Sequence, residues 1–194
     1  MKKALFAGFA LAALALVAPA RSEAQVFTPT FQAPRSSSDV GIYLSDIGDF
    51  GLEGIFRRNL GTYDLGLRLG VADFDGASLL LGADLRSPLH MGTAPIDMAV
   101  TAGAQAVLGD VDGAGFQMGL SIGHTFVAPD LSITPYFHPR LALLAPLGRS
   151  DDDLDLDLLA DIGFDVAFSR SLTLRLGVGF VDRGADWGIG LSWR

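Results

Sequence analysis

Residues 172–194 read Leu172-Thr173-Leu174-Arg175-Leu176-Gly177-Val178-Gly179-Phe180-Val181-Asp182-Arg183-Gly184-Ala185-Asp186-Trp187-Gly188-Ile189-Gly190-Leu191-Ser192-Trp193-Arg194. Leu172, Leu174, Leu176, Val178 and Phe180 alternate with Thr173, Arg175, Gly177 and Gly179. After Arg183-Gly184 the alternation resumes, with Trp187, Ile189, Leu191 and Trp193 against Gly188, Gly190, Ser192 and Arg194. A period of two sends successive side chains to opposite faces of an extended chain, so the stretch predicts two strands joined by a tight reversal.

The same template recurs upstream. It fits Tyr63 to Val71, Leu79 to Arg86, Phe116 to Gly123 and residues 154–168, where even positions from Leu154 to Phe168 are apolar and odd ones carry Asp155, Asp157, Asp161, Gly163 and Asp165. Weaker matches are Val40 to Leu44, Phe50 to Arg58, Met98 to Leu108 and Leu131 to Leu143, giving ten candidate strands. Asp75-Gly76 and Asp112-Gly113 suit tight hairpins because glycine accepts positive φ, so neighbouring strands are expected to be antiparallel. Pro135 and Pro139 weaken the seventh candidate, since proline removes a ladder donor. No helical period long enough for a βαβ unit occurs after residue 38.

Two architectures use such a pattern. A soluble sandwich or barrel buries its apolar face, whereas an outer-membrane barrel turns that face to lipid and the polar face to its lumen. Here the polar face is built from Gly, Ser, Ala and Gln with isolated Asp and Arg, and no Lys follows Lys3. Repeated glycine on one face implies crowding, as inside a narrow barrel, and the planar fork of arginine satisfies carboxylates where water is scarce. Aromatic residues stand toward strand ends, at Phe50, Tyr63, Phe116, Phe126, Phe168, Phe180, Trp187 and Trp193, as interfacial girdles require.

The N-terminus supports export. Met1 to Lys3 are positive, Ala4 to Ala20 form an apolar run, and Ser22-Glu23-Ala24 ends in a small-x-small pattern, so residues 1–24 read as a signal peptide cleaved before Gln25. Cleavage after Ala20 is the alternative. Residues 25–38 are Pro- and Ser-rich without a period and read as a flexible periplasmic lead-in. The remaining chain from Gln25 holds 11 Arg against 21 acidic residues, a net charge of −10. That acidity argues against nucleic acid as a partner, and the absence of cysteine removes disulfides and thiol chemistry.

On this alternation and leader, residues 39–194 resemble the small bacterial outer-membrane β-barrel proteins. The resemblance implies an all-β, transmembrane, antiparallel up-and-down barrel, here with ten strands, placed in the bacterial outer membrane among its lipid. It also implies recognition by the barrel-assembly machinery through a C-terminal strand ending on an aromatic residue; Trp193 fits, with Arg194 added after it. An eight-stranded barrel with one pair left as loop is the nearest alternative, and a secreted soluble β-sandwich that binds a ligand is the alternative of another class.

Ten strands with both ends on the periplasmic side would place the odd-numbered reversals outside. These hold Asp46 and Asp49; Asp73 and Asp75; Asp110 and Asp112; Asp151, Asp152, Asp153 and Asp155; and Asp182 and Asp186. Such an acidic outer rim could bind divalent cations that bridge to anionic lipid, although Asp is also an ordinary turn residue. Asp73-Phe74-Asp75-Gly76 matches only the first half of a calcium loop, without its distant Glu. The polar face assigns Glu53, Arg57, Asp64, Arg68, Asp84, Arg86, Asp161, Asp165 and Arg175 to the lumen as a mixed-sign network. At this strand number side chains roughly fill the interior, so a plugged structural barrel is expected, with a narrow pore or small-molecule transporter as the functional alternative. No cofactor motif occurs. Among the three histidines, His138 shares a face with Thr134 and Tyr136 but follows no nucleophile elbow, so no catalytic residue is assigned.

Overall fold

The computed structural model describes residues 29–109, 112–147, 154–181 and 184–194. They form strands β1 (Asp39–Ser45), β2 (Phe50–Asn59), β3 (Asp64–Asp73), β4 (Ala77–Leu89), β5 (Asp97–Leu108), β6 (Gly113–Gly123), β7 (Phe126–Ala128), β8 (Leu131–Pro146), β9 (Asp155–Ala167), β10 (Leu172–Val181) and β11 (Gly184–Trp193). The signal peptide, Gln25 to Thr28, and the rim residues Asp110, Asp151, Asp152, Asp153 and Asp182 lie outside the described residues.

Ten of these strands close into one antiparallel barrel. The ring runs β1-β2-β3-β4-β5-β6-β8-β9-β10-β11 and returns to β1, where Val40 lies opposite Trp193 and Ser45 opposite Gly188. Among the described residues each of the ten ring strands has a partner on both sides, which is what a bilayer core without water demands.

The short β7 explains the two prolines. It pairs only with β8, Phe126 opposite Ile133, and keeps the register that sets Gly123 opposite Tyr136. Strands β6 and β7 are thus one course interrupted at His124 and Thr125, opposite Pro135 and Thr134. A second gap in the β6–β8 register falls at Leu120 and Ser121, opposite Pro139 and His138. The Pro135 carbonyl still accepts the His124 N–H at 3.3 Å, so the donor that proline lacks would have pointed toward β6. On its other side β8 pairs without a break with β9, from Ser132 opposite Ala167 to Leu144 opposite Asp155.

Side chains alternate as the period requires. In β1 and β3 every second residue is buried, while Ile42, Leu44, Leu67, Leu69 and Val71 point outward and are exposed. An exterior covered in this way by Leu, Val, Ile and Phe is far larger than the apolar patches that water tolerates, and it fits hydrocarbon. All eight sequence-assigned aromatic residues are exposed. By strand position Tyr63, Phe126, Phe168 and Trp193 lie toward the rim that carries the C-terminus, here the terminal rim. Phe50, Phe116, Phe180 and Trp187 lie toward the opposite, distal rim.

Candidate functional site: the occupied lumen

The inner face of the wall begins with glycine. Gly190 lies directly opposite Tyr43, and Gly163 opposite Tyr136; a Cβ on either glycine would run into the facing tyrosine ring. The tyrosines therefore lie flat across the neighbouring strand, which is the crowding that repeated glycine on the polar face implies. Replacing Gly190 by valine is expected to cost about 1–3 kcal/mol through overpacking. The readout is a lower urea midpoint for the barrel refolded in vesicles, whereas an unchanged midpoint would mean that Tyr43 has room to turn away.

Charged side chains pair with one another on the inner face. Arg175 gathers three strands: its Nη2 donates to Asp39 at 2.7 Å, its Nη1 to Tyr43 Oη at 2.6 Å and its Nε to Asp165 at 3.3 Å. Arg86 donates to Asp64 through Nε at 3.0 Å and through Nη2 at 2.5 Å. Arg68 forms a two-pronged pair with Glu53. Arg140 donates to Asp161 at 2.9 Å and to Gln117 at 2.7 Å. Arg57 stands 3.7 Å from Asp84 and 4.0 Å from Asp39, an ion pair without a close hydrogen bond. These five guanidinium groups and six carboxylates are buried, except that Asp165 is half-buried. At such depth each charge depends on its partner, because burying an unpaired one costs several kcal/mol.

Of the residues that the alternation assigns to the lumen, Glu53, Arg57, Asp64, Arg68, Asp84, Arg86, Asp161 and Arg175 are buried and Asp165 is half-buried. Sequence reasoning did not name Asp39, Tyr43, Tyr136, His138 or Arg140 as members. Parity was available for Asp39, which shares a face with Gly41 and Tyr43. For Arg140 and His138 the same signal was obscured by the prolines of β8.

The largest difference from the sequence reading is residues 29–38. The sequence predicts a flexible periplasmic lead-in there, but Pro29 to Pro34 and Ser37 are buried inside the barrel, while Arg35, Ser36 and Ser38 are exposed. Starting from Asp39 at the terminal rim, the segment reaches mid-lumen. There Phe31 packs against Tyr43 with ring centroids 4.7 Å apart and joins a cluster with Ile55. Gly177 and Gly188 make room for it: a Cβ on Gly188 would lie 2.7 Å from both Phe31 and Pro29. The Thr30 hydroxyl donates to Asp161 and lies 3.0 Å from His138 Nδ1, while His138 Nε2 is 2.7 Å from the Thr101 hydroxyl. Thr101, His138 and Asp161 thus form a row, but all three are buried and Thr30 covers it. The composition of this segment lacks a period because it is not a strand, and its small and ring side chains fit the hollows left by wall glycines.

The distal end of the lumen is apolar. Ile47 and Phe74, from the β1–β2 and β3–β4 turns, fold inward onto Ala72, Leu80 and Val107, with Leu144 beside them. The two turns are tied by the Asp49 N–H donating to the Asp73 carbonyl at 2.8 Å, and Gly48 adopts φ +66°, where a side chain would be strained.

Around this mouth stand the described members of the acidic rim. Asp49, Asp73, Asp75, Asp112 and Asp155 are exposed, whereas Asp186 is half-buried. Asp46 is half-buried and accepts the Trp187 N–H at 2.5 Å. Burial raises its carboxyl above the ordinary value, with that hydrogen bond acting in the opposite sense. Among the described residues no three acidic or histidine side chains converge as a metal site requires.

No protein-family model matches the sequence, and no curated protein matches it. Among solved structures it is similar to the KdgM porin in complex with disordered oligogalacturonate, at 10% identity and a TM-score of 0.48, covering 80% of this chain and 98% of that one. It is also similar to the beta domain of the Bordetella autotransporter BrkA, at 14% identity and a TM-score of 0.50, over 81% of this chain and 76% of that one. A third similar structure is LpxR from Salmonella typhimurium, at 11% identity and a TM-score of 0.39, covering 85% and 78%. At these identities the likeness is one of fold. The chain has the fold of the outer-membrane β-barrel proteins, with ten antiparallel strands closed around a lumen that holds its own residues 29–38.

Proposed function

We propose that this protein is an integral outer-membrane barrel with a structural or surface-interaction role, exported with loss of residues 1–24 and closed to solutes by its own chain. The observation that carries this reading is the burial of Pro29 to Pro34 across mid-lumen. An ion entering from the terminal rim would have to move Phe31 off Gly177 and Gly188. One entering from the distal rim would have to part Ile47 and Phe74 from Leu80 and Val107. Both of these contacts are apolar, and bare ions do not cross apolar contacts without a large desolvation cost. In this reading the acidic rim is the surface element, meeting anionic lipid or polymer through bridging divalent cations.

Planar-bilayer recording of the full chain tests closure. The expected result is silence at protein concentrations that give a heat-modifiable folded band. Steady, concentration-dependent current steps would instead favour the narrow pore.

A further inference from the structure

Residues 29–38 pair with no strand of the ring, so the barrel closes without them. Both its backbone and its side chains hold the segment. The Thr30 N–H donates to Asp161 at 3.2 Å, and the Ser37 N–H donates to Asp64 at 3.1 Å. The Gln32 carbonyl accepts from the Ser121 hydroxyl at 2.5 Å, and the Ala33 carbonyl accepts from Arg86 Nη1 at 2.7 Å. Four backbone groups, two donors and two acceptors, are therefore read by wall side chains that are themselves buried. Four side chains also engage the wall: the Thr30 hydroxyl at Asp161 and His138, the Phe31 ring over the Gly188 hollow, the Ser37 hydroxyl accepting from Arg86 Nη2 at 3.0 Å, and the Ser38 hydroxyl accepting from the Asn59 N–H at 2.9 Å.

We propose that the lumen is a peptide-binding site for a bent segment with a Thr-Phe pair whose phenylalanine backbone is left-handed (φ +54° at Phe31), and that the chain's own residues 29–38 are its resident ligand, held in cis and replaceable in trans. This rests on the closed-lumen reading and adds to it that the plug is a separable ligand rather than a fixed part of the core. Carboxylates facing N–H groups and a guanidinium facing a carbonyl are the pairs that charge-assisted hydrogen bonding favours. The short tether at Asp39 gives the cis segment an effective concentration on the order of millimolar, so a free peptide competes only when the cis contacts are weakened.

The probe is a synthetic peptide of residues 25–38, labelled at its Ser38 end, which lies exposed at the terminal rim. It is titrated against the full chain carrying Thr30→Ala and Phe31→Ala, refolded in detergent and checked by heat-modifiable mobility, with fluorescence anisotropy as readout. Saturable binding is expected. It should be at least about tenfold weaker for a peptide bearing the same two substitutions, and likewise for the wild-type chain, whose site is occupied. Absence of saturable binding to the folded double variant, or equal binding of a scrambled peptide, overturns the proposal. If the double variant gives no folded band, Phe31→Leu alone is titrated with the same peptide and read in the same way. A conducting wild-type chain overturns the closed-lumen reading and leaves the titration to decide the site. A silent wild-type chain with no peptide binding overturns only the site.

Discussion

Replacing Arg175 by methionine is expected to lower the unfolding free energy of the vesicle-refolded barrel by about 3–5 kcal/mol, the cost of removing one partner from a buried ionic cluster. Arg175 is buried and bonds to Asp39, Tyr43 and Asp165. Its strand, β10, joins β11, whose other edge pairs with β1, the strand of Asp39 and Tyr43. Its loss therefore leaves two carboxylates short of a cation beside the place where the chain's first and last strands meet. Methionine keeps most of the side-chain volume, which separates charge from packing. Urea unfolding followed by the fluorescence of Trp187 and Trp193 gives the measurement. Adding Asp39→Asn to Arg175→Met should restore part of the loss, because the stranded charge is then removed. An unshifted midpoint for the single variant would mean that the guanidinium is solvated rather than paired.

Replacing Leu69 by arginine should destabilise the barrel in the bilayer by about 2–4 kcal/mol, as expected for a cation on the lipid face near the membrane midplane. Leu69 lies centrally in β3 and is 59% exposed, while its chain neighbour Arg68 points inward, is 6% exposed and pairs with Glu53. One position along the strand thus separates an arginine the fold requires from one it should reject. The comparison also decides the solvent of the outer wall. In a water-soluble barrel an exposed Leu→Arg change would fall within about 0.5 kcal/mol of neutral. A near-zero effect in vesicles would therefore count against membrane insertion, and a loss of folded, heat-modifiable protein would count for it.

The alternation of Leu172 to Phe180 and of Trp187 to Trp193 determined the strands and the sign of each face, because a period of two is a local property of the chain, and the tight turns at Asp75-Gly76 and Asp112-Gly113 determined their antiparallel order. It also assigned the lumen-facing charges, from Glu53 to Arg175, by parity alone. Even the doubt about the seventh strand had a local cause: Pro135 and Pro139 do interrupt the ladder, but only on the β6 side of β8.

What parity could not supply was the pairing within the lumen, since Arg175 meets Asp39 across 136 residues and Arg140 meets Asp161 across a hairpin. Which strands become neighbours around a closed ring depends on closure, not on any one strand. The apolar cap was hidden for a related reason. Leu80 and Val107 break the polar pattern of their faces, and only the inward fold of Ile47 and Phe74 gives them a partner.

Residues 29–38 mark the limit most clearly. Their sequence carries no period because they form no ladder, and a Pro- and Ser-rich stretch reads as solvated chain. Only the tertiary structure places Thr30 at Asp161 and Phe31 in the hollow above Gly188. The hollow itself exists because glycines from separate strands meet at one level of the ring. The sequence by itself determined the wall of this protein, its faces and its charges; the tertiary structure alone decided what the wall encloses, because the lumen is made of contacts between residues far apart in the chain.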